Sequence, residues 1–309
     1  MRDFRFSFNV RGIESRDAFV EKCRMAERQG YDTVFAADHL GTPAPFPLLV
    51  AAAAATQRLR VGTLVLNAAF WNPALLAREA ATTDILTDGR LEIGLGAGHM
   101  KWEFDEAGIG WEPFGTRAEA LRTMVSELRK FFHADFEALP DGVQPPRPVQ
   151  RHGFGGYGPP LIIGGTGDRI LRIAAAHADT VSVAGVYQVK GEAPGTFRLG
   201  TAAEAQERVR FARQHARDRA DEIEWHLLLQ AVVETSDRRG AATKLIEQFG
   251  ASLDMTVDEV LETPFLLIGT VKEMAEQLIE HRERYGFTYL TVHEPFMASF
   301  APVIEVLRR

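Results

Sequence analysis

Thr87-Asp88-Gly89-Arg90-Leu91-Glu92-Ile93-Gly94-Leu95-Gly96-Ala97-Gly98 is the stretch on which the fold turns. Residues 90–93 read as a strand, glycines recur at alternate positions beyond it, and His99, Trp102 and Glu103 follow. Glycine at every second position lets backbone pass close to a flat or bulky neighbour, with no Cβ in the way. Titratable and aromatic residues just past a strand sit where a barrel strand hands over to its loop, the usual place for barrel chemistry. The triplet is not a dinucleotide fingerprint. That motif enters a helix at once, whereas Trp102, Phe104, Gly108 and Trp111 intervene here.

Outward from this stretch the chain alternates. Strands are predicted at 4–10, 31–36, 59–66, 91–95, 161–164, 180–183, 224–233 and 288–293. Helices are predicted at 16–29, 46–56, 72–86, 116–132, 168–177, 201–219, 271–284 and 300–307. Eight strands separated by helices is the pattern of an α/β protein of the (β/α)8 TIM-barrel class, with a doubly wound open sheet as the runner-up. One domain over 1–309 is expected, with insertions near 134–160 (rich in proline and glycine), 185–200 (a flexible lid) and 235–265 (a polar, partly helical excursion).

The 309 residues are 46% hydrophobic and 25% charged, ordinary for a globular enzyme. The formal net charge of -7 argues against a nucleic-acid or anionic-membrane partner, since both favour a basic face. A lone cysteine, Cys23, excludes an intrachain disulfide and a cysteine metal cluster, and no metal site is expected. The first residues carry no apolar signal segment and no apolar run approaches a membrane span, so a cytoplasmic location is expected.

Four elements at predicted strand ends carry candidate chemistry. Asp38-His39 can orient and charge an imidazole for proton transfer, or be a helix-capping aspartate beside a satisfied histidine. Leu64-Val65-Leu66-Asn67, backed by Phe70 and Trp71, can make an apolar wall with one amide for a ring-shaped ligand, or be core. The Gly94–Glu103 region is the third. Gly164-Gly165-Thr166-Gly167 leads straight into a helix, where exposed amides and the positive dipole end suit an anion. Thr166 adds a hydroxyl there and Arg169 a charge; the alternative is a tight turn capped by Asp168.

Taken together, the chain resembles the luciferase-like monooxygenase superfamily, in its branch that uses the deazaflavin coenzyme F420. The resemblance rests on Ala26-Glu27-Arg28-Gln29-Gly30-Tyr31-Asp32, Asp38-His39, Arg60-Val61-Gly62-Thr63, Asn72-Pro73-Ala74, residues 87–98, and residues 163–179. It is weakest over 134–160 and 185–265. It implies a TIM barrel holding a deazaflavin or flavin ring at its C-terminal mouth, with the phosphate on Gly164, Gly165, Thr166 and Gly167 near Arg169. Asp38 would contact the ring or its side chain, Leu64-Val65 would be a non-prolyl cis peptide under it, and Asn67, Ala97 and Gly98 would line it.

His39 matches a histidine near the hydride-transfer centre of relatives and is the first candidate acid/base. Glu103 and His99 come second, and the pair His293-Glu294 third. His99 stands where sugar-oxidising relatives have a glutamate, which argues against sugar-phosphate oxidation. The aromatics Phe70, Trp71, Trp102 and Phe104 suit a planar or apolar substrate pocket. The expected activity is hydride transfer between F420 and a small organic substrate. The alternatives are an FMN-dependent monooxygenase using O2 with a partner reductase, and a barrel that binds no redox cofactor. Small-residue runs at 47–55 and 74–81 suggest a homodimer.

Overall fold

Eight parallel strands close on themselves in the computed structural model, which describes residues 2–133, 135, 137 and 139–309. They are β1 (Arg5–Val10), β2 (Thr33–Ala36), β3 (Arg60–Thr63), β4 (Leu91–Gly96), β5 (Leu161–Gly165), β6 (Thr180–Val183), β7 (Glu224–Leu229) and β8 (Phe287–His293). The hydrogen-bonded order β3-β2-β1-β8-β7-β6-β5-β4 is closed by the β3–β4 pairing of Val61 with Leu91 and Gly62 with Glu92. Helices α1 (Arg16–Arg28), α2 (Pro45–Ala55), α3 (Pro73–Leu86), α4 (Phe114–Phe132), α5 (Asp168–His177), α6 (Ala202–Ala216), α7 (Val271–Tyr285) and α8 (Met297–Leu307) surround the barrel. This is the predicted TIM barrel, and closure removes the open-sheet alternative.

Local chemistry starts these helices where the sequence suggests. Thr201 with Glu204 and Thr270 with Glu273 form capping boxes at the heads of α6 and α7, each cap contributing about 1 kcal/mol. Gly286 closes α7 in the left-handed region, at φ 86°.

The barrel interior is unusually polar. Near the N-terminal ends of the strands, the buried Glu92 carboxylate takes Arg60 Nε at 2.6 Å, pairs with Arg5, and accepts from Tyr289 Oη at 3.1 Å. Burial pushes Glu92 upward, but the two guanidinium charges outweigh it and hold the carboxyl below its ordinary range. Higher up, the fully buried His226 sits 2.7 Å from Ser182 Oγ and 2.6 Å from Thr291 Oγ1. Desolvation pushes its pKa down to about 3, so it is neutral.

Several predicted boundaries move. Strand 59–66 breaks after Thr63 at a cis Leu64–Val65 peptide and resumes as Leu66–Asn67, which pairs with β4. Strand 224–233 is two strands, β7 and Ala231–Glu234. The second pairs outside the barrel with Leu266–Gly269, a strand absent from the sequence reading. Between them the 235–265 excursion forms helices Arg238–Phe249 and Val257–Glu262.

The 185–200 lid is a hairpin, Val186–Gln188 against Phe197–Leu199. Residues 134, 136 and 138 of the first insertion lie outside the described residues. Its later part reaches the N-terminal end of the barrel, where Gln150 accepts from Arg60 at 2.9 Å and donates to Leu91 O at 2.7 Å. No helix among the described residues is long and apolar enough to cross a membrane. No group of three or more His, Cys, Asp or Glu among them is placed to hold a metal ion.

Candidate active site

The C-terminal ends of β2, β3, β4 and β5 bring the four sequence elements to one mouth. β2 ends in Ala36 and releases Asp38 and His39. β3 delivers Leu64, Val65 and Asn67, β4 delivers the glycine run and His99, and β5 delivers Gly164-Gly165-Thr166-Gly167.

Asp38 and His39 do not act as a pair. His39 Nδ1 lies 2.9 Å from Glu103 Oε1 and 3.2 Å from Oε2, and Leu40 N donates to the same carboxylate at 3.2 Å. Glu103 is 2% exposed, whereas about a third of the His39 side chain faces solvent. A carboxylate with a backbone donor already on it can only accept, so the His39 proton sits on Nδ1 and Nε2 is left for the mouth. The short helix Lys101–Glu106, which the sequence reading missed, turns Glu103 inward. Its Lys101–Asp105 ion pair at spacing i, i+4 was the available signal.

Asp38 instead braces the neighbouring strand. Its Oδ2 accepts from Trp71 Nε1 at 2.9 Å and from Asn67 N at 3.2 Å. It is therefore neither a helix cap nor the orienter of His39. Asn67 is 6% exposed and turns the chain into the Ala68–Phe70 helical turn by accepting from Ala69 N at 3.1 Å.

Close packing explains the glycines of β4. A Cβ on Gly94 would lie 2.0 Å from Thr63 O, and one on Gly96 would lie 2.7 Å from Val65 Cγ2. Gly98, at φ 73°, meets the Asn67 side chain, where a Cβ would approach Oδ1 to 2.6 Å. The alternate glycines thus admit β3, Val65 and Asn67. Ala97, 8% exposed, belongs to the core beside it. Gly98 O is gripped by Arg117 Nη1 at 2.6 Å, and the Arg117 guanidinium lies 3.6 Å from the Trp111 ring centroid. Sequence reading did not single out Arg117, a first-turn arginine of α4.

His99 stands perpendicular to His39 at 5.4 Å between ring centroids and also touches Phe197 of the hairpin, again at 5.4 Å. Desolvation in the concave mouth, followed by the charges of His39 and Arg117, pushes His99 below the usual imidazole range. This holds although the ring keeps a solvent-exposed edge. His99 is thus a neutral partner at neutral pH.

The second glycine loop ends at the N-cap of α5, Gly167, which makes no side-chain capping bond. The first amides of α5 are therefore open to an anion. Asp168, offered as a turn cap, pairs instead with Arg208 Nη1 at 2.5 Å. Arg169 lies across Gly115, where an added Cβ would come within 2.2 Å of its Nη1, and no carboxylate among the described residues pairs with it. Thr166 Oγ1 donates to Val186 O at 3.3 Å, tying the loop to the hairpin.

The third acid/base pair separates. Glu294 binds Lys22 and accepts from Arg11 N at 2.7 Å. His293 lies 3.1 Å from Asn9 Oδ1 and 3.3 Å from Gln230 Oε1, and burial pushes it down to about 4. Of the aromatics, Phe104 is fully buried in contact with Phe70 and Trp111, hence core, while Trp102 is 51% exposed.

The profile of the family described as luciferase-like monooxygenase matches residues 5–289. The oxygenase component of the flavin-dependent trigonelline monooxygenase of Acinetobacter baylyi is 30% identical over 146 residues, 44% of this chain and 40% of that protein. The F420-dependent glucose-6-phosphate dehydrogenase of Amycolatopsis mediterranei is 34% identical over 125 residues, 38% of each chain. The chain thus matches less than half the length of these curated relatives. An F420-dependent secondary alcohol dehydrogenase, solved with an F420–acetone adduct, superposes over 100% of both chains with a TM-score of 0.73 and 17% identity. Long-chain alkane monooxygenase LadA does so over 100% of this chain and 92% of its own, with a TM-score of 0.73 and 15% identity. At such identities these likenesses speak for the barrel alone. Covered along nearly its whole length by the family profile, the chain belongs to the luciferase-like monooxygenase family and is an enzyme of that family.

Proposed function

We propose that this enzyme is an oxidoreductase that moves a hydride between coenzyme F420 and a small organic substrate at the C-terminal mouth of the barrel. One observation carries the reading: His39 is backed by the buried Glu103 carboxylate at 2.9 Å, on the mouth that also holds the glycine loop of α5. The residues present suit an anionic, ring-bearing cofactor. The uncapped α5 terminus and Arg169 provide for phosphate, and Val65, Asn67, Ala97 and Gly98 offer a close-packed floor. When bound, F420 supplies or accepts the hydride.

The chain's own residues handle the proton. His39 Nε2 holds or releases it beside the substrate, and Glu103 fixes the orientation of the ring. His99, being neutral, hydrogen-bonds the substrate or screens it without adding charge. The Phe197 hairpin limits water over His99. Asp38 braces Trp71 and Asn67 through Oδ2 and keeps Oδ1 for the ring or its side chain.

A second reading, an FMN monooxygenase, is favoured by the identity with the trigonelline enzyme. Absorbance titration with each cofactor and turnover with and without O2 separate the two. The leading reading expects F420 to bind, FMN not to bind, and turnover to proceed without O2. Tight FMN binding with O2-dependent substrate loss overturns it.

A homodimer is the proposed assembly. The small-residue runs at 47–55 and 74–81 are mostly turned inward, with Leu49, Ala52, Ala53, Ala77, Ala80 and Ala81 buried. The exposed apolar positions of α3 are Leu75, Ile85 and Leu86. A monomer in sedimentation at micromolar concentration refutes this.

A further inference from the structure

One sizeable cleft lies away from the mouth. With a volume of about 900 Å³, it opens at the other end of the barrel, between α6 and α7, over the start of β7 and β8. Its volume lies in the range of small-molecule sites. Five arginines line it, Arg2, Arg210, Arg213, Arg282 and Arg284, against two carboxylates, Asp221 and Glu283. In a chain of net charge -7, this is a local reversal of sign.

None of the five guanidinium groups forms an ion pair among the described residues, although arginines elsewhere, such as Arg5, Arg60, Arg198 and Arg208, do. Their contacts are instead with neutral groups. Arg213 donates to Tyr285 O at 3.3 Å and lies 4.9 Å from the Trp225 ring centroid. Arg284 donates to Gln206 Oε1 at 2.9 Å, and Arg282 stacks 4.5 Å over Phe4. These contacts orient the side chains without an ion pair, and the two carboxylates of the lining, Asp221 and Glu283, leave the five arginines in excess. Among them, the buried Nε of Arg282 lacks a hydrogen-bond partner, and so does the hydroxyl of Tyr285 beside it, in a residue 1% exposed. Guanidinium stays charged at any working pH, so the mutual repulsion is permanent until an anion arrives.

We propose that this cleft is a binding site for a small polyanion, a molecule carrying two or more clustered phosphate or carboxylate groups. Planar guanidinium forks donate to such oxygens in bidentate pairs, and several forks lining one cleft favour charge clustered on one molecule over separate monovalent ions. The site is independent of the hydride-transfer reading, because it shares no residue with the mouth.

The test is calorimetric titration of the full chain with pyrophosphate, citrate, acetate at matched ionic strength, and a hexaglutamate peptide. Three proteins are compared: the unaltered chain, Arg210→Ala/Arg284→Ala, and Arg169→Ala at the mouth. Arg210 and Arg284 are both exposed, so the double variant keeps its fold, which an unchanged thermal midpoint without ligand verifies. The proposal expects pyrophosphate or citrate to bind, acetate not to, and the double variant to lose at least about tenfold in affinity while Arg169→Ala loses none. Whether pyrophosphate or citrate binds tighter identifies phosphate or carboxylate as the preferred group. Equal binding of acetate, loss through Arg169→Ala with the double variant unaffected, or no binding at all overturns it. Hexaglutamate binding more than about tenfold tighter than both small anions also overturns it, in favour of an acidic protein segment.

Discussion

Gly96→Ala separates a packing role from a ligand-facing one. Gly96 has an ordinary strand backbone, so in open space an alanine there would stabilise slightly by reducing unfolded-chain entropy, about 0.4–1 kcal/mol. The new Cβ would instead stand 2.7 Å from Val65 Cγ2, about 1 Å inside normal contact. Overpacking of that size costs about 1–3 kcal/mol, near 2 °C of thermal midpoint per kcal/mol in a chain this long. Val65→Ala alone costs about 1–2 kcal/mol for its lost methyl groups, yet it removes the clashing atom. The double variant is therefore expected to recover about 1–2 kcal/mol relative to the sum of the singles. Gly94→Ala is the control, because its Cβ meets the Thr63 carbonyl at 2.0 Å, a backbone atom that Val65→Ala cannot move. Thermal unfolding of the variants reads this directly. If Gly96→Ala and Val65→Ala are additive within about 0.5 kcal/mol, the packing account of β4 is wrong. If Gly96→Ala leaves the midpoint unchanged but weakens cofactor binding, the glycine faces a ligand after all.

Other expectations follow from the same geometry. His39→Asn should lower turnover by about 10²–10⁴ with cofactor affinity near that of the unaltered enzyme, measured by steady-state kinetics and absorbance titration. Glu103→Gln keeps an acceptor near Nδ1 but removes its charge, so a smaller loss of about 10–10² is expected, in kcat rather than in cofactor affinity. Glu92→Gln leaves Arg5 with Glu224 alone and Arg60 with neutral partners, and should cost about 1–3 kcal/mol in denaturant unfolding. Acid should destabilise the fold through His226. Its folded pKa is depressed to about 3 from 6.5, so below pH 6.5 the unfolded chain takes up a proton that the folded chain refuses. Its contribution is complete above pH 6.5 and declines as pH falls toward 3, by about 2 kcal/mol at pH 5. His226→Gln should flatten that slope of stability against pH.

Most of the barrel was legible because its strands are buried on both faces and read as short apolar runs between helical periods. Leu161-Ile162-Ile163 and Thr180-Val181-Ser182-Val183 appear almost to the residue. What failed was assignment to a sheet. Leu266-Leu267-Ile268 has the same apolar character, but a strand that pairs with Ala231–Glu234 outside the barrel looks no different in sequence from one inside it. Likewise Gln230 donates its N–H to Phe265 O rather than to a barrel neighbour, which starts the second sheet one residue after β7.

The site was legible in its parts and misread in its pairings. Neighbours in sequence were taken as neighbours in chemistry, so Asp38 was set beside His39 and Glu294 beside His293. Successive side chains past a strand end diverge, and each aspires to a different partner: Asp38 turns to Trp71 and Asn67, His39 to Glu103, 64 residues on. Glu103 was already a candidate, but pairing it with His39 required knowing that residues 101–106 are helical, because only then does Glu103 turn away from Lys101 and Asp105 and into the barrel rim. The glycine run was ambiguous for a related reason. Absence of a Cβ says that something comes close, but not whether it is a ligand or the chain itself, and here Thr63, Val65 and Asn67 already fill the space beside Gly94, Gly96 and Gly98. The side-chain-free surface left for a ring is therefore narrower than the glycine count suggests. On the proposed function, discrimination then falls to His39, His99 and the α5 terminus rather than to the glycines.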